Sequence, residues 1–182
     1  SLLEEQFDVI ECSGVLHHME DSIKGLKALL NVLKPKGFLK LGLYSELARK
    51  DIVETREYII TNNLQPTDED IKDLRKSVFS GKVAEISHLR NWGDFYTMSE
   101  CRDLCFHAQE HRFTINQLQN MIKSNELDFL GFSLPQSVKS LYTKHFPEDK
   151  KQTNLDNWER FEKQFPTTFV AMYQFWVCKS KV

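Results

Sequence analysis

Two histidine pairs are the residues of this chain whose types and spacing could do chemistry. His17 and His18 are adjacent and follow the short apolar run Phe7–Cys12. His107 and His111 stand four apart around Glu110, in the order His-x-x-Glu-His. Imidazole titrates near neutrality, so either pair could move a proton. On a helix the second spacing puts both rings on one face, where they could hold zinc. A catalytic zinc needs a third protein ligand, however, and no downstream motif nominates one. The pattern also ends close to Phe113-Thr114, where a new helix cap begins. His107, Glu110 and His111 therefore stand as an alternative zinc-hydrolase reading, and the expectation is no metal.

Other reactive side chains are fewer. Tyr44, Ser45 and Arg49 follow the alternating run Phe38–Tyr44. The planar fork of an arginine could bind a carboxylate or phosphate, although an ion pair on the next helix is the plainer role. Cys12, Cys101, Cys105 and Cys178 make no Cys-x-x-Cys pair, and the simplest expectation is a reduced, cytoplasmic protein. Cys101 and Cys105 read as core packing beside Leu104 and Phe106. Trp92, Phe95 and Tyr96 read as core rather than as the lining of a pocket.

The elements that must position these residues follow from periodicity. Phe7–Cys12 is apolar and β-branched enough for a buried strand. Asp21–Leu33 has apolar residues at Ile23, Leu26, Leu29, Leu30 and Leu33, the helical period, with Asp21 as N-cap. Lys34-Pro35-Lys36-Gly37 supplies a turn, and Phe38–Tyr44 alternates like a strand. Strand, helix and strand in that order make a βαβ crossover. From Ser45 to Asn125 the pattern is helical: Leu47–Asn62, a helix opened by Thr67-Asp-Glu-Asp70 and closed by Gly81, Ser99–His107, and Thr114–Ser124 with a Thr114…Gln117 capping box. Leu127–Leu134 returns to strand, Ser137–Phe146 and Asn154–Phe165 are helices, and Phe169–Cys178 is a final strand. Trp158, Phe161 and Phe165 fall on the buried stripe of the last helix. The expectation is one α/β domain over residues 1–182, with a helical insertion over 46–112 that carries Glu100, Arg102, His107, Glu110 and His111.

A chain of 182 residues, 41% hydrophobic and 27% charged, can bury one domain-sized core. A net charge of −2 gives no electrostatic case for a nucleic-acid partner. No apolar run approaches the roughly 20 residues of a membrane span, and neither a membrane nor a basic signal segment is expected.

The stretch FDVIECSGVLHHMEDSIKGLKALLNVLKPKGFLKLGLYS resembles the second half of a class I S-adenosylmethionine-dependent methyltransferase. In that family a fourth strand ends in a loop resembling Leu16-His17-His18-Met19-Glu20-Asp21. A helix, a Leu33-Lys34-Pro35-Lys36-Gly37 turn and a fifth strand follow. The final third resembles the family's sixth strand and antiparallel seventh. Bacterial methyltransferases often fused to tetratricopeptide repeats are similar, with a comparable helical insertion, though no such repeat occurs here. The resemblance implies a partial Rossmann-like α/β fold of about four strands, the last antiparallel. It further implies cofactor contacts from Ser13, Gly14, Val15, Leu16 and His17, with His18 and Tyr44 as candidate catalytic groups. Tyr44, Ser45, Arg49, His107 and His111 become candidate substrate contacts, for an acceptor that is a small molecule or a protein.

The family's glycine-rich loop has no counterpart, since the seven glycines form no Gly-x-Gly. Nor do its second- and third-strand ends, which bind ribose and frame adenine. The expectation is therefore a fragment lacking the first three strands, inactive alone and with no cofactor bound to it. A natural non-catalytic half-domain that completes its sheet with another chain is the alternative. In either case strand Phe7–Cys12 becomes an open edge, which invites pairing with a second copy of the chain.

Overall fold

The computed structural model describes residues 5–106 and 110–179. Its strands are β1 (Phe7–Ser13), β2 (Leu33–Tyr44), β3 (Leu127–Phe132) and β4 (Met172–Lys179). Its helices are α1 (Ser22–Val32), α2 (Lys50–Thr61), α3 (Asp68–Ser80), α4 (Met98–Phe106), α5 (Ile115–Ser124), α6 (Gln136–His145) and α7 (Leu155–Gln164). They divide into two compact units: residues 1–48 with 110–182, and residues 49–109.

The first unit is built on one mixed sheet of order β1-β2-β4-β3. β1 and β2 run parallel, and β4 is antiparallel to both of its neighbours. This is the four-strand α/β arrangement expected, with the last strand antiparallel. Alternation along the strands gives the sheet two unlike faces. Leu39, Leu41 and Leu43 of β2 and Tyr173, Phe175 and Val177 of β4 are fully buried in the core, together with Leu26 of α1, Leu118 of α5 and Trp158 of α7. Val9 and Phe38, paired in register, and Leu130 are 54%, 45% and 43% exposed on the outward side.

Helix ends follow their local chemistry. The Asp21 carboxylate accepts from the N–H groups of Ile23 and Lys24 at 3.1 and 2.9 Å, starting α1 at Ser22. Thr114 and Gln117 form the reciprocal box that starts α5. The turn expected at Lys34–Gly37 lies within β2 as a bulge. Register jumps there from Phe7 opposite Leu33 to Val9 opposite Phe38, and Lys36 takes φ 61°.

The second unit holds α2, α3 and α4 with two short 3₁₀ segments, Ala84–Asn91 and Gly93–Tyr96. Its own core collects Ile52, Ile59, Ile71, Leu74, Val78, Phe95, Cys101, Leu104 and Cys105. Thr67 caps α3 and Gly81 closes it at φ 68°. α2 begins at Lys50, three residues later than expected. The Ser45 hydroxyl accepts the N–H of Ala48 at 3.1 Å and holds the preceding residues in a turn. Among the described residues no helix is long and apolar enough to cross a membrane.

Candidate functional site

The site is built where the parallel strands β1 and β2 end side by side. Ser13 lies opposite Gly42, and a Cβ at Gly42 would collide with the Ser13 hydroxyl, so glycine is what lets the two strands close here. Gly14 then turns the chain at φ 76° and donates to the Gly42 carbonyl at 3.3 Å. Leu16–His18 form one turn of 3₁₀ helix, closed by His18 N–H on the Val15 carbonyl at 3.0 Å. This turn points Leu16 and His17 inward, with 2% and 0% of their surface exposed, and leaves Val15 outside.

The His17 ring stacks on Tyr44, centroids 3.7 Å apart at 26°. His18 meets His17 edge-on at 4.4 Å and stands perpendicular to Tyr44 at 5.6 Å. The structure therefore brings together three candidates drawn from two strand ends: His17, His18 and Tyr44. A third segment closes on them. His111 N–H donates to the His17 carbonyl at 2.8 Å, and Phe113 N–H to the Tyr44 carbonyl at 2.9 Å. Arg112 lies between two carboxylates, Glu46 at 3.1 Å and the almost fully buried Glu110 at 3.8 Å. Burial pushes the Cys12 thiol above its ordinary range, so at this strand end it packs rather than reacts.

Ser45 is fully buried one residue beyond Tyr44. Its hydroxyl donates to the Glu162 carboxylate at 3.0 Å, and Tyr173 donates to both oxygens of the same carboxylate at 2.8 and 2.9 Å. Loss of water pushes Glu162 above its ordinary range, against the pull of the Tyr173 and Ser45 hydrogen bonds. Sequence reasoning missed this group. Its signal was an acid at the fourth residue after Trp158, inside the apolar stripe of α7, where a charge needs buried donors.

The remaining candidates separate. Arg49 belongs to the second unit, where its guanidinium lies 5.7 Å from the Trp92 ring. His107 falls outside the described residues. Glu110 and His111 lie outside any helix, so the pattern lacks at these two positions the helical face that zinc binding requires. One cluster of metal-ligating types occurs among the described residues: Asp51, Glu54 and His88, with ligand atoms within 4.8 Å of one another. His88 Nε2 lies 2.9 Å from the Asp51 carbonyl oxygen and Glu54 lies 3.8 Å from Lys50, contacts that account for the grouping without an ion.

Sheet order and strand-end loop can be set beside known proteins. Residues 1–41 match the family model described as "Methyltransferase domain". An uncharacterized protein of Synechococcus sp. (syc1184_c) is 33% identical over 138 residues, covering 72% of this chain and 33% of that protein. The structure of PKMT2 from Rickettsia typhi superposes with a TM-score of 0.67 at 16% identity, over 98% of this chain and 36% of that one. PKMT2 in complex with AdoHcy gives 0.61 at 16% identity, over 99% and 37%. The first 41 residues match a methyltransferase-domain model, and the chain as a whole shares the fold of part of PKMT2. The chain spans about a third of the length of these relatives. At such identity the two structures speak for the methyltransferase fold, and the family match covers β1, its loop, α1 and most of β2.

Proposed function

We propose that this chain supplies one wall of an S-adenosylmethionine site in a methyltransferase whose remaining walls lie in polypeptide not represented in this sequence. The observation that carries the reading is the His17–Tyr44 stack at the carboxyl ends of two adjacent parallel strands, the place where open α/β sheets bind ligands. The bound cofactor would supply an electrophilic methyl group. Ser13, Gly14, Val15, Leu16 and His17 would pass along it, and His18 and Tyr44 would face the acceptor. Transfer to a nucleophile held in line depends mainly on positioning, which a buried histidine clamped by an aromatic ring can provide. Tyr44 and the segment around His111 are the proposed acceptor contacts within this unit, with Ser45, fully buried on Glu162, behind them. Whether the acceptor is a small molecule or a protein side chain is left to assay.

On this reading the isolated chain is inactive and binds the cofactor weakly, because fold alone does not supply the missing turns. Calorimetric titration with S-adenosylhomocysteine is expected to show an affinity no better than millimolar. At millimolar ligand the ring signals of His17 and His18 move in NMR spectra while those of His88 do not. Micromolar affinity would mean that the absent walls are dispensable. A response confined to His88 would place the ligand elsewhere.

The outward side of the sheet supports a companion proposal. The uncovered edge of β1, with Val9 and Phe38 beside it, is where a second copy of the chain would pair.

A further inference from the structure

Glu162 is buried and remote in sequence from the strand-end loop, yet its hydrogen bonds lead straight to it. The carboxylate is 5% exposed and receives only hydroxyls from Ser45 and Tyr173, both fully buried. Those two donors are not equivalent. Tyr173 lies within β4, opposite Leu43, and is held there by its pairing with β2. Ser45 is the first residue past Tyr44, where β2 has ended and the chain must turn. Its N–H donates to the Ala171 carbonyl at 2.9 Å, and Ala171 sits at φ 63°, a conformation that strains a non-glycine residue. Its hydroxyl accepts the Ala48 N–H at 3.1 Å while donating to Glu162. A strained residue and a buried acid thus converge on one serine.

We infer that Glu162 is a positioning residue: through Ser45 it fixes where β2 ends and so sets the Tyr44 ring against His17. A buried carboxylate suits the task because it accepts strongly from a hydroxyl and has no water to exchange with. A carboxylate placed only to satisfy Tyr173 would have no need of Ser45, whose hydroxyl already has a local acceptor role as cap of the following turn. The inference deepens the proposed cofactor wall and rests on that reading for what the stack is used for. The stack itself is measured without ligand, so the two can fail separately.

The test is side-chain NMR of the full chain, reading the His17 ring signals, which the facing Tyr44 ring displaces. The part of that displacement due to Tyr44 is what Tyr44→Leu removes. Ser45→Ala and Glu162→Ala are expected to lose more than half of it. Glu162→Gln, which keeps an acceptor oxygen for Ser45, is expected to retain it, as is Tyr173→Phe, which removes a hydroxyl from the same carboxylate but leaves Ser45 bound. Because Ser45→Ala also removes the Ala48 cap, the deciding pair is Glu162→Ala and Glu162→Gln, which a merely structural role predicts to be alike. Equal displacement in those two variants, or an unchanged His17 in folded Glu162→Ala, overturns the inference. Should Glu162→Ala not fold, Glu162→Met, which fills the same space without an oxygen acceptor, is compared with Glu162→Gln instead.

Discussion

The two faces of the sheet are made from the same four strands and share nothing else. On the inward face every second residue of β2 and β4 is an aliphatic or aromatic side chain with no exposure, closed by α1, α5 and α7. On the outward face the alternate residues are Val9, Glu11, Phe38 and Lys40, with Glu11 and Lys40 paired at 2.8 Å. Large apolar side chains there are about half exposed. A face that is only solvated normally carries polar residues, and one that is buried carries none. This one is mixed. The difference teaches that the sheet's stability is set from one side, where the helices of this unit pack, while large apolar side chains on the other stay half exposed.

The inward face should therefore dominate unfolding. Leu41 is fully buried and sits between Cys12 of β1 and Phe175 of β4. Leu41→Ala removes its packing and leaves a cavity in the centre of the sheet, which should cost about 2–5 kcal/mol, measured from the shift of the denaturant midpoint. A cost under about 1 kcal/mol would mean that the face is not the tight core its exposures describe.

Glu162 is a buried acid beside the apolar inward side, and it gives the comparison a pH dependence. Burial raises its folded pKa above the ordinary 4.5, so the folded chain holds this proton more tightly than the unfolded chain does. The stability it contributes is complete below 4.5 and is lost as pH rises through the folded value. Measured by denaturation across that window, the wild type should lose stability relative to Glu162→Gln as pH rises. Parallel profiles would show that the carboxyl group titrates as it does in the unfolded chain. The sign distinguishes it from an ordinary surface carboxylate, whose ion pairs are lost as pH falls.

Much of the inward face was legible in the sequence. Period-two alternation marked Phe38–Tyr44, the cap at Asp21 placed α1 to the residue, and the Thr114–Gln117 box did the same for α5. The antiparallel direction of the last strand came through family resemblance, and its insertion between β2 and β3 is seen in the fold, since periodicity does not say how strands pair. Two local misreadings have a common cause. The bulge at Lys34–Gly37 looked like a full turn, and α2 was begun three residues early, because a specific pairing, β1 on β2 in one case and the Ser45 hydroxyl on the Ala48 N–H in the other, overrides turn and helix preference. The candidate site was half legible. His17, His18 and Tyr44 could be nominated from neighbouring strand ends, whereas Glu162 and the Glu110–Arg112–Glu46 group are assembled across more than sixty residues of chain. The single hint, an acid inside an apolar helical stripe, reads as an ordinary solvated position until the donors opposite it are known.

The smallest effect on folding should come from the outward face, and it is the one that decides what the face is for. Phe38 is 45% exposed, so truncating it removes only part of a side chain's burial. Phe38→Ala should cost below about 1.5 kcal/mol in a dilute chain. If a second copy covers the edge of β1, sedimentation of the wild type should show mass rising with concentration, and Phe38→Asp should abolish that rise while leaving the unfolding midpoint nearly unchanged. A monomer at every concentration would instead mean that the ion pairs Asp8–Lys34 and Glu11–Lys40, each 2.8 Å long, are enough to blunt the edge. The apolar row between them would then be exposed to water in the chain alone, and the two faces would differ in packing but not in partnership.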